Sequence, residues 1–191
     1  MRSSYIQNGY GEILKYLVIT NRPNLVIECG VLDGYSTLHI AQALKHNRKR
    51  GIRSSFFAYD LFEDYEYNHG DAGEVITLLR ENGVRNSCAV VHGDAFYYHN
   101  LYFDGVVDFL HFDISNDGDI LIKMLETWGS KISDDGMIAF EGGTEERDNG
   151  WIKKYNKKPI RPELFNNPLV YEKWNIQILN PYPGLTLMRK K

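Results

Sequence analysis

Five short apolar runs in this chain each carry an acidic residue at or just past their carboxyl end. They are residues 25–29 (LVIEC, with Glu28 inside), 55–59 (SFFAY, before Asp60), 87–91 (SCAVV, before His92-Gly93-Asp94), 106–112 (VVDFLHF, before Asp113) and 137–140 (MIAF, before Glu141). Between them lie stretches with helical spacing: 35–46, with Leu38, Ala41, Ala43 and Leu44 facing inward, then 73–82, 120–128 and 149–157. A further helix over 9–20, with Ile13, Tyr16, Leu17 and Thr20 as its apolar stripe, is stopped at Asn21-Arg22-Pro23, because proline disfavours helical geometry in the residue before it. Strands alternating with helices at this spacing predict an α/β fold, a parallel sheet covered by helices on both faces. The end of the chain departs from this rhythm. Residues 174–179 and 185–188 are strand-like, and the turn-rich Asn180-Pro181-Tyr182-Pro183-Gly184 between them is too short for a crossover helix. Those two strands are therefore expected to form an antiparallel hairpin.

The chain is 191 residues long, which suits one domain over 1–191 with its N-terminal helix inside 1–22. Hydrophobic residues at 43% and charged residues at 25% exclude a disordered or collagen-like chain. No apolar run approaches the ~18 residues of a membrane span, so no membrane partner is expected. Residues 1–8 are polar and lack the basic-then-apolar layout of a secretory signal, which makes a cytoplasmic address the expectation. A net charge of −3 offers no global field for nucleic acid. The basic stretch 45–53 (KHNRKRGIR) reads as a solvated helix end rather than a nucleic-acid patch. Cys29 and Cys88 sit in apolar runs and read as buried thiols. A monomer and a homodimer are both compatible with this sequence.

In open α/β sheets, ligands bind outside the carboxyl ends of the strands. The acids at these strand ends are therefore site candidates. The loop after the first strand, Glu28-Cys29-Gly30-Val31-Leu32-Asp33-Gly34-Tyr35-Ser36-Thr37, is the sharpest signal. Gly30 and Gly34 permit a tight turn and a close ligand at the start of a helix. The dinucleotide fingerprint wants a glycine where Leu32 stands, so a pyrophosphate fits poorly here. A nucleotide-type cofactor without phosphates needs no such vacancy.

This loop resembles the E-x-G-x-x-x-G-Y-S form of the first motif of class I S-adenosylmethionine-dependent methyltransferases, as in small-molecule O-methyltransferases of the catechol, caffeoyl-CoA and macrocin type. The resemblance continues through Asp60-Leu61, Gly93-Asp94-Ala95, the fourth-strand pattern ending in Asp113, and the lead into strand five at residues 135–140. It implies a Rossmann-like doubly wound sheet, mostly parallel with a C-terminal antiparallel hairpin, and S-adenosylmethionine as cofactor. It also implies cofactor-binding roles for Glu28, Gly30, Gly34, Tyr35, Ser36, Asp60, Leu61, Gly93, Asp94, Ala95 and Asp113, with Asp60 holding the ribose hydroxyls. The implied reaction is methylation of a hydroxyl on a small-molecule acceptor.

The chain departs from the metal-dependent members of that family. After strand five it has Glu141-Gly142-Gly143 where they carry an acidic pair, so a magnesium ion would need Asp113 and Glu141 plus a ligand from Asn116, Asp117 or Glu145-Glu146. Metal-free chemistry is the favoured expectation. Asp113, Glu141 or His111 is then the general base, with His69 a further candidate. His111 also reads as a core histidine bonded to backbone. Residues 144–149 (TEERDN) read as a helix start with stabilising acids in its first turn. The tyrosines Tyr59, Tyr65, Tyr67, Tyr97, Tyr98 and Tyr102 suggest an aromatic wall, with Phe96 and Tyr97 nearest the adenine. Residues 61–71 and 158–173 read as irregular lids that set acceptor specificity. Two alternatives compete: an NAD-type oxidoreductase, opposed by Leu32 and the hairpin, and an RNA-directed methyltransferase carried by 45–53 and 153–158, opposed by the net charge.

Overall fold

The computed structural model describes residues 2–152, 154–180 and 183–191, with the side chains of Trp151 and Ile152 left out of the description. Seven strands form one sheet in the order β3-β2-β1-β4-β5-β7-β6. They are β1 (Leu25–Cys29), β2 (Ser55–Asp60), β3 (Ala89–His92), β4 (Val107–Phe112), β5 (Ile132–Glu141), β6 (Trp174–Leu179) and β7 (Leu185–Lys190). The first five are mutually parallel, while β7 lies antiparallel between β5 and β6. This is the mostly parallel, doubly wound sheet with an antiparallel terminal pair that the sequence implies. Pro181 and Tyr182 of the hairpin linker lie outside the described residues.

The helices are α1 (Tyr10–Asn21), α2 (Tyr35–Arg48), α3 (Ala72–Glu81), α4 (Ala95–Tyr98), α5 (Gly118–Trp128), α6 (Glu145–Arg147), α7 (Ile160–Asn166) and α8 (Pro168–Tyr171). Alternate residues of each central strand feed different cores. Val26, Phe56, Ala58, Phe109 and Ala139 pack beneath α1, α2 and α3. Ile27, Tyr59, Leu110, Ile138 and Phe140 pack on the other face with α5, α7 and α8. Both faces of the central strands are dry, so these strands read as unbroken apolar runs. Among the described residues no helix is long and apolar enough to cross a membrane.

Several expectations are corrected. The buried stripe of α1 is Tyr10, Gly11, Leu14 and Val18, whereas Tyr16 is 66% exposed and Thr20 faces solvent. The reason is a close helix crossing: a Cβ on Gly11 would stand 2.5 Å from the His39 ring of α2. β5 begins five residues earlier than the apolar run, at Ile132, through a register shift opposite Val107–Phe109. Of the helix expected over 149–157, a π-helical segment runs from Asp148 to Ile152 and Lys154 is helical, Lys153 is outside the described residues, and 155–157 are not helical. Residues 158–173 are not an irregular lid: they form α7 and α8, and their Ile160, Leu164 and Val170 are buried in the core. Asp148 caps this unit by accepting from the N–H groups of Ile160 (3.1 Å) and Arg161 (2.7 Å).

Candidate active site

Strand order reverses between β1 and β4, and a cavity of about 500 Å³ opens at the carboxyl ends there. That is ample for a nucleoside-sized ligand. A more open hollow of about 730 Å³ borders α6 and α7, but none of the strand-end acids line it.

One wall is the loop between β1 and α2. Gly30 has φ +93°, and a Cβ there would lie 2.4 Å from the Asp113 carbonyl oxygen. Only glycine lets this loop run so close to β4. Leu32 (φ 51°) and Phe62 (φ 47°) also occupy the left-handed region, which costs a non-glycine residue about 1–2 kcal/mol. Asp60 secures both. Its Oδ2 accepts from the N–H groups of Val31 (2.6 Å) and Leu32 (3.0 Å), and its Oδ1 accepts from that of Phe62 (2.7 Å). A carboxylate offers about four lone-pair positions, so these three bonds leave room for one further donor.

Residues 61–71 come down onto the same loop, because Gly70 would place a Cβ only 1.8 Å from the Leu32 carbonyl oxygen. Arg2 ties the N-terminal segment across both. Its guanidinium meets Asp33 at 2.6 and 3.0 Å, and Nη2 also donates to the His69 carbonyl at 2.9 Å. Arg2, Ser3, Ser4, Asn68 and His69 consequently line the cavity. Sequence reasoning missed Arg2 and Gly70, since neither belongs to a strand end.

The far wall is aromatic. Asp94 caps α4 by accepting from Phe96 N–H at 2.8 Å, and Phe96 lines the cavity edge-on to Phe112. Tyr59 and Tyr65 also line it. Tyr98 stacks behind Tyr59 at 4.8 Å, and Tyr102 hydrogen-bonds the Tyr59 hydroxyl. Tyr97, expected near the adenine, instead points to solvent at 74% exposure.

The floor holds the two acids. The β4–β5 register pairs Phe112 with Phe140, which brings Asp113 and Glu141 side by side. Among the described residues nothing hydrogen-bonds the Asp113 carboxylate. Burial, then the charge of Glu141, push its carboxyl well above the usual range; Arg147 pulls the other way. Glu141 Oε2 accepts from Asn116 Nδ2 (2.6 Å) and Arg147 Nη2 (3.0 Å), with both partners of the ion pair buried. Glu141 Oε1 and Asn116 Oδ1 are buried without a hydrogen-bond partner among the described residues. Arg147 is fixed by α6, which starts where Thr144 accepts from Arg147 N–H.

The expected cofactor residues Gly30, Tyr35, Ser36, Asp60, Leu61, Gly93, Asp94, Ala95 and Asp113 all line this cavity; Gly34 and Glu28 do not. Glu28 is fully buried behind it, accepting from Thr37 Oγ1 (2.5 Å) and pairing with His111 Nδ1 (2.9 Å). His111 Nε2 lies 3.1 Å from the Tyr5 hydroxyl. The histidine thus bonds side chains rather than backbone and does not reach the cavity.

A magnesium ion does not fit these donors. Glu141 Oε2 already receives an amide N–H and a guanidinium, and both repel a cation. Of the further ligands expected, Asp117 caps α5, Glu145 and Glu146 are exposed on α6, and Asn116 turns its amide N–H rather than its oxygen to Glu141. Among the described residues no three His, Cys, Asp or Glu side chains converge as ligands.

Fold and pocket together define a doubly wound domain with an acid-lined cavity at the point where strand order reverses. The family model described as "Methyltransferase domain" matches residues 27–141, more than half of the chain, and the protein belongs to that family. No curated protein matches it by sequence. Solved structures share the fold at low identity. A methyltransferase from Geobacter sulfurreducens is 16% identical with a TM-score of 0.69, over 100% of this chain and 80% of that one. The O-methyltransferase TomG from Streptomyces achromogenes, solved with SAM, is 14% identical with a TM-score of 0.68, over 96% and 80%. An O-methyltransferase from Bacillus cereus, solved with SAH, is 17% identical with a TM-score of 0.67, over 100% and 84%.

Proposed function

We propose that the protein is an S-adenosylmethionine-dependent O-methyltransferase acting on a hydroxyl of a small molecule, as one domain in the cytoplasm. The observation that carries this reading is the charge of the cavity. Asp60, Asp94, Asp113 and Glu141 line it, while its two arginines are engaged by Asp33 and Glu141. Such a lining suits a cofactor with sulfonium and ammonium groups and repels a pyrophosphate. When bound, the cofactor supplies an electrophilic methyl group.

The chain's own residues do the rest. Gly30, Asp60 and the α4 start at Asp94-Ala95-Phe96 form the nucleoside wall. Asp113 and Glu141 stand where an acceptor hydroxyl can hydrogen-bond and give up its proton. Fixing that hydroxyl in line is the larger part of the catalysis.

Calorimetric titration with S-adenosylhomocysteine and with NAD separates this reading from an oxidoreductase. Binding of the first and not the second is expected; the reverse would overturn the proposal. A steep salt dependence of binding to RNA would favour an RNA acceptor instead.

A further inference from the structure

The acid floor contains a buried ion pair, Glu141 with Arg147, whose cation the methyltransferase reading leaves unexplained. Arg147 is 4% exposed and Glu141 5% exposed, so a full ion pair sits in the interior beside a second carboxylate. Burying a guanidinium carries a large desolvation cost, which only a well-placed partner and further hydrogen bonds offset. The local fold is organised to put it there. Thr144 starts α6, α6 presents Arg147 to Glu141, and the carbonyl of Gly142 accepts from Thr186 Oγ1 of β7 at 2.7 Å, holding the turn between them.

The pair is also incomplete on one side. Both donors to Glu141 converge on Oε2, and Oε1 is left buried without a partner among the described residues. An orphaned buried carboxylate oxygen costs stability, and a ligand group carrying an O–H removes that cost. A divalent cation is unsuited to this position, because the amide N–H of Asn116 and the guanidinium both face the carboxylate.

We infer that Arg147 is a positioning residue that serves as the fixed cation of the acceptor site: it anchors Glu141 through Oε2 and leaves Oε1 open to an acceptor hydroxyl, in the place a divalent cation would otherwise take. The inference rests on the methyltransferase reading for its acceptor but not for its charge arrangement. Removing the guanidinium frees Glu141 Oε2 and lets the Asn116 amide turn its oxygen inward. Asp113, Glu141 and Asn116 then present the oxygen donors that a hard cation takes.

The test uses manganese(II) alone, followed by electron paramagnetic resonance, on wild type and Arg147→Ala. The expected result is no saturable site in wild type and a gained saturable site in the variant, lost again in Arg147→Ala/Glu141→Gln. Arg147→Lys, which keeps the charge, gains none. If Arg147→Ala does not fold, Arg147→Gln carries the same comparison. A saturable site in wild type that disappears in Glu141→Gln overturns the inference, as does a folded Arg147→Ala or Arg147→Gln protein that gains none. Binding of S-adenosylhomocysteine is measured on the same samples. Its absence in wild type would count against the methyltransferase reading and leave the manganese comparison standing.

Discussion

Asp60 accepts the backbone N–H of Phe62 at 2.7 Å, and Phe62 is one of the few non-glycine residues here with left-handed φ. The same carboxylate holds Leu32, another of them, at 3.0 Å. One acid therefore fixes two strained positions in loops that meet at the cavity. Strain of this kind persists only where surrounding bonds over-determine it.

Asp60→Ala is thus expected to lower affinity for S-adenosylhomocysteine and stability together. Each loss should be about 1–3 kcal/mol, the scale of removing the acceptor from buried N–H groups. Asp94→Ala removes a single helix cap and should cost only about 1 kcal/mol of stability. Calorimetry and urea denaturation read the two effects. Unchanged affinity in a folded Asp60→Ala protein would remove Asp60 from the cofactor wall.

Gly30→Ala meets two obstacles, a φ of +93° and the Asp113 carbonyl at 2.4 Å. Gly105 offers a matched control, with φ +71° and no heavy atom within 4 Å of its would-be Cβ. Gly105→Ala should cost about 1–2 kcal/mol, the left-handed penalty alone. Gly30→Ala should cost clearly more, because backbone rather than a flexible side chain must move. Equal midpoints in urea would show that the loop can retreat from β4.

The sheet was legible because each central strand is buried on both faces and so appears as an apolar run. The strand-end acids followed from the same pattern, which is why Asp60, Asp94, Asp113 and Glu141 could be named from sequence. Where legibility failed, the elements were short or the contacts distant. α7 has seven residues and α8 four, with Pro159, Pro162 and Pro168 among and beside them, too few to display a helical period. The phase of α1 was misread because Tyr16 is apolar enough to count as core, while the decisive residue, Gly11, has no side chain to count. Arg2 and Arg147 reach the cavity through contacts with Asp33, His69 and Glu141, which no local periodicity encodes.

His111 can be tested against its expected role as a base. His111→Leu leaves Glu28 Oε1 and the Tyr5 hydroxyl without their shared partner in a fully buried position. Leaving a buried polar group without its hydrogen-bond partner typically costs about 1–3 kcal/mol, and here there are two. The expected outcome is a large drop in the urea midpoint, with binding of S-adenosylhomocysteine retained by the protein that remains folded. A general base would behave oppositely, losing turnover at unchanged stability.

Asp113 carries the last prediction, in which pH separates function from stability. Its carboxyl is raised in the folded protein, first by burial and then by Glu141, above the roughly 3.9 of an unfolded aspartate. Between those two values the native state binds more protons than the unfolded state. Stability therefore falls as pH rises through that window and stays lowered above it. Below the unfolded value both states are protonated, and the penalty vanishes. Asp113→Asn has no proton to lose, so it should melt higher than wild type at neutral pH and at the same temperature in acid. For a chain of this size each ~1 kcal/mol moves the midpoint by about 2–4 °C. The same substitution should slow methyl transfer by ~10²–10⁴ if Asp113 takes the acceptor's proton. A variant that melts lower than wild type at neutral pH would mean the carboxylate is stabilised by a partner, and the strained-acid account would fail.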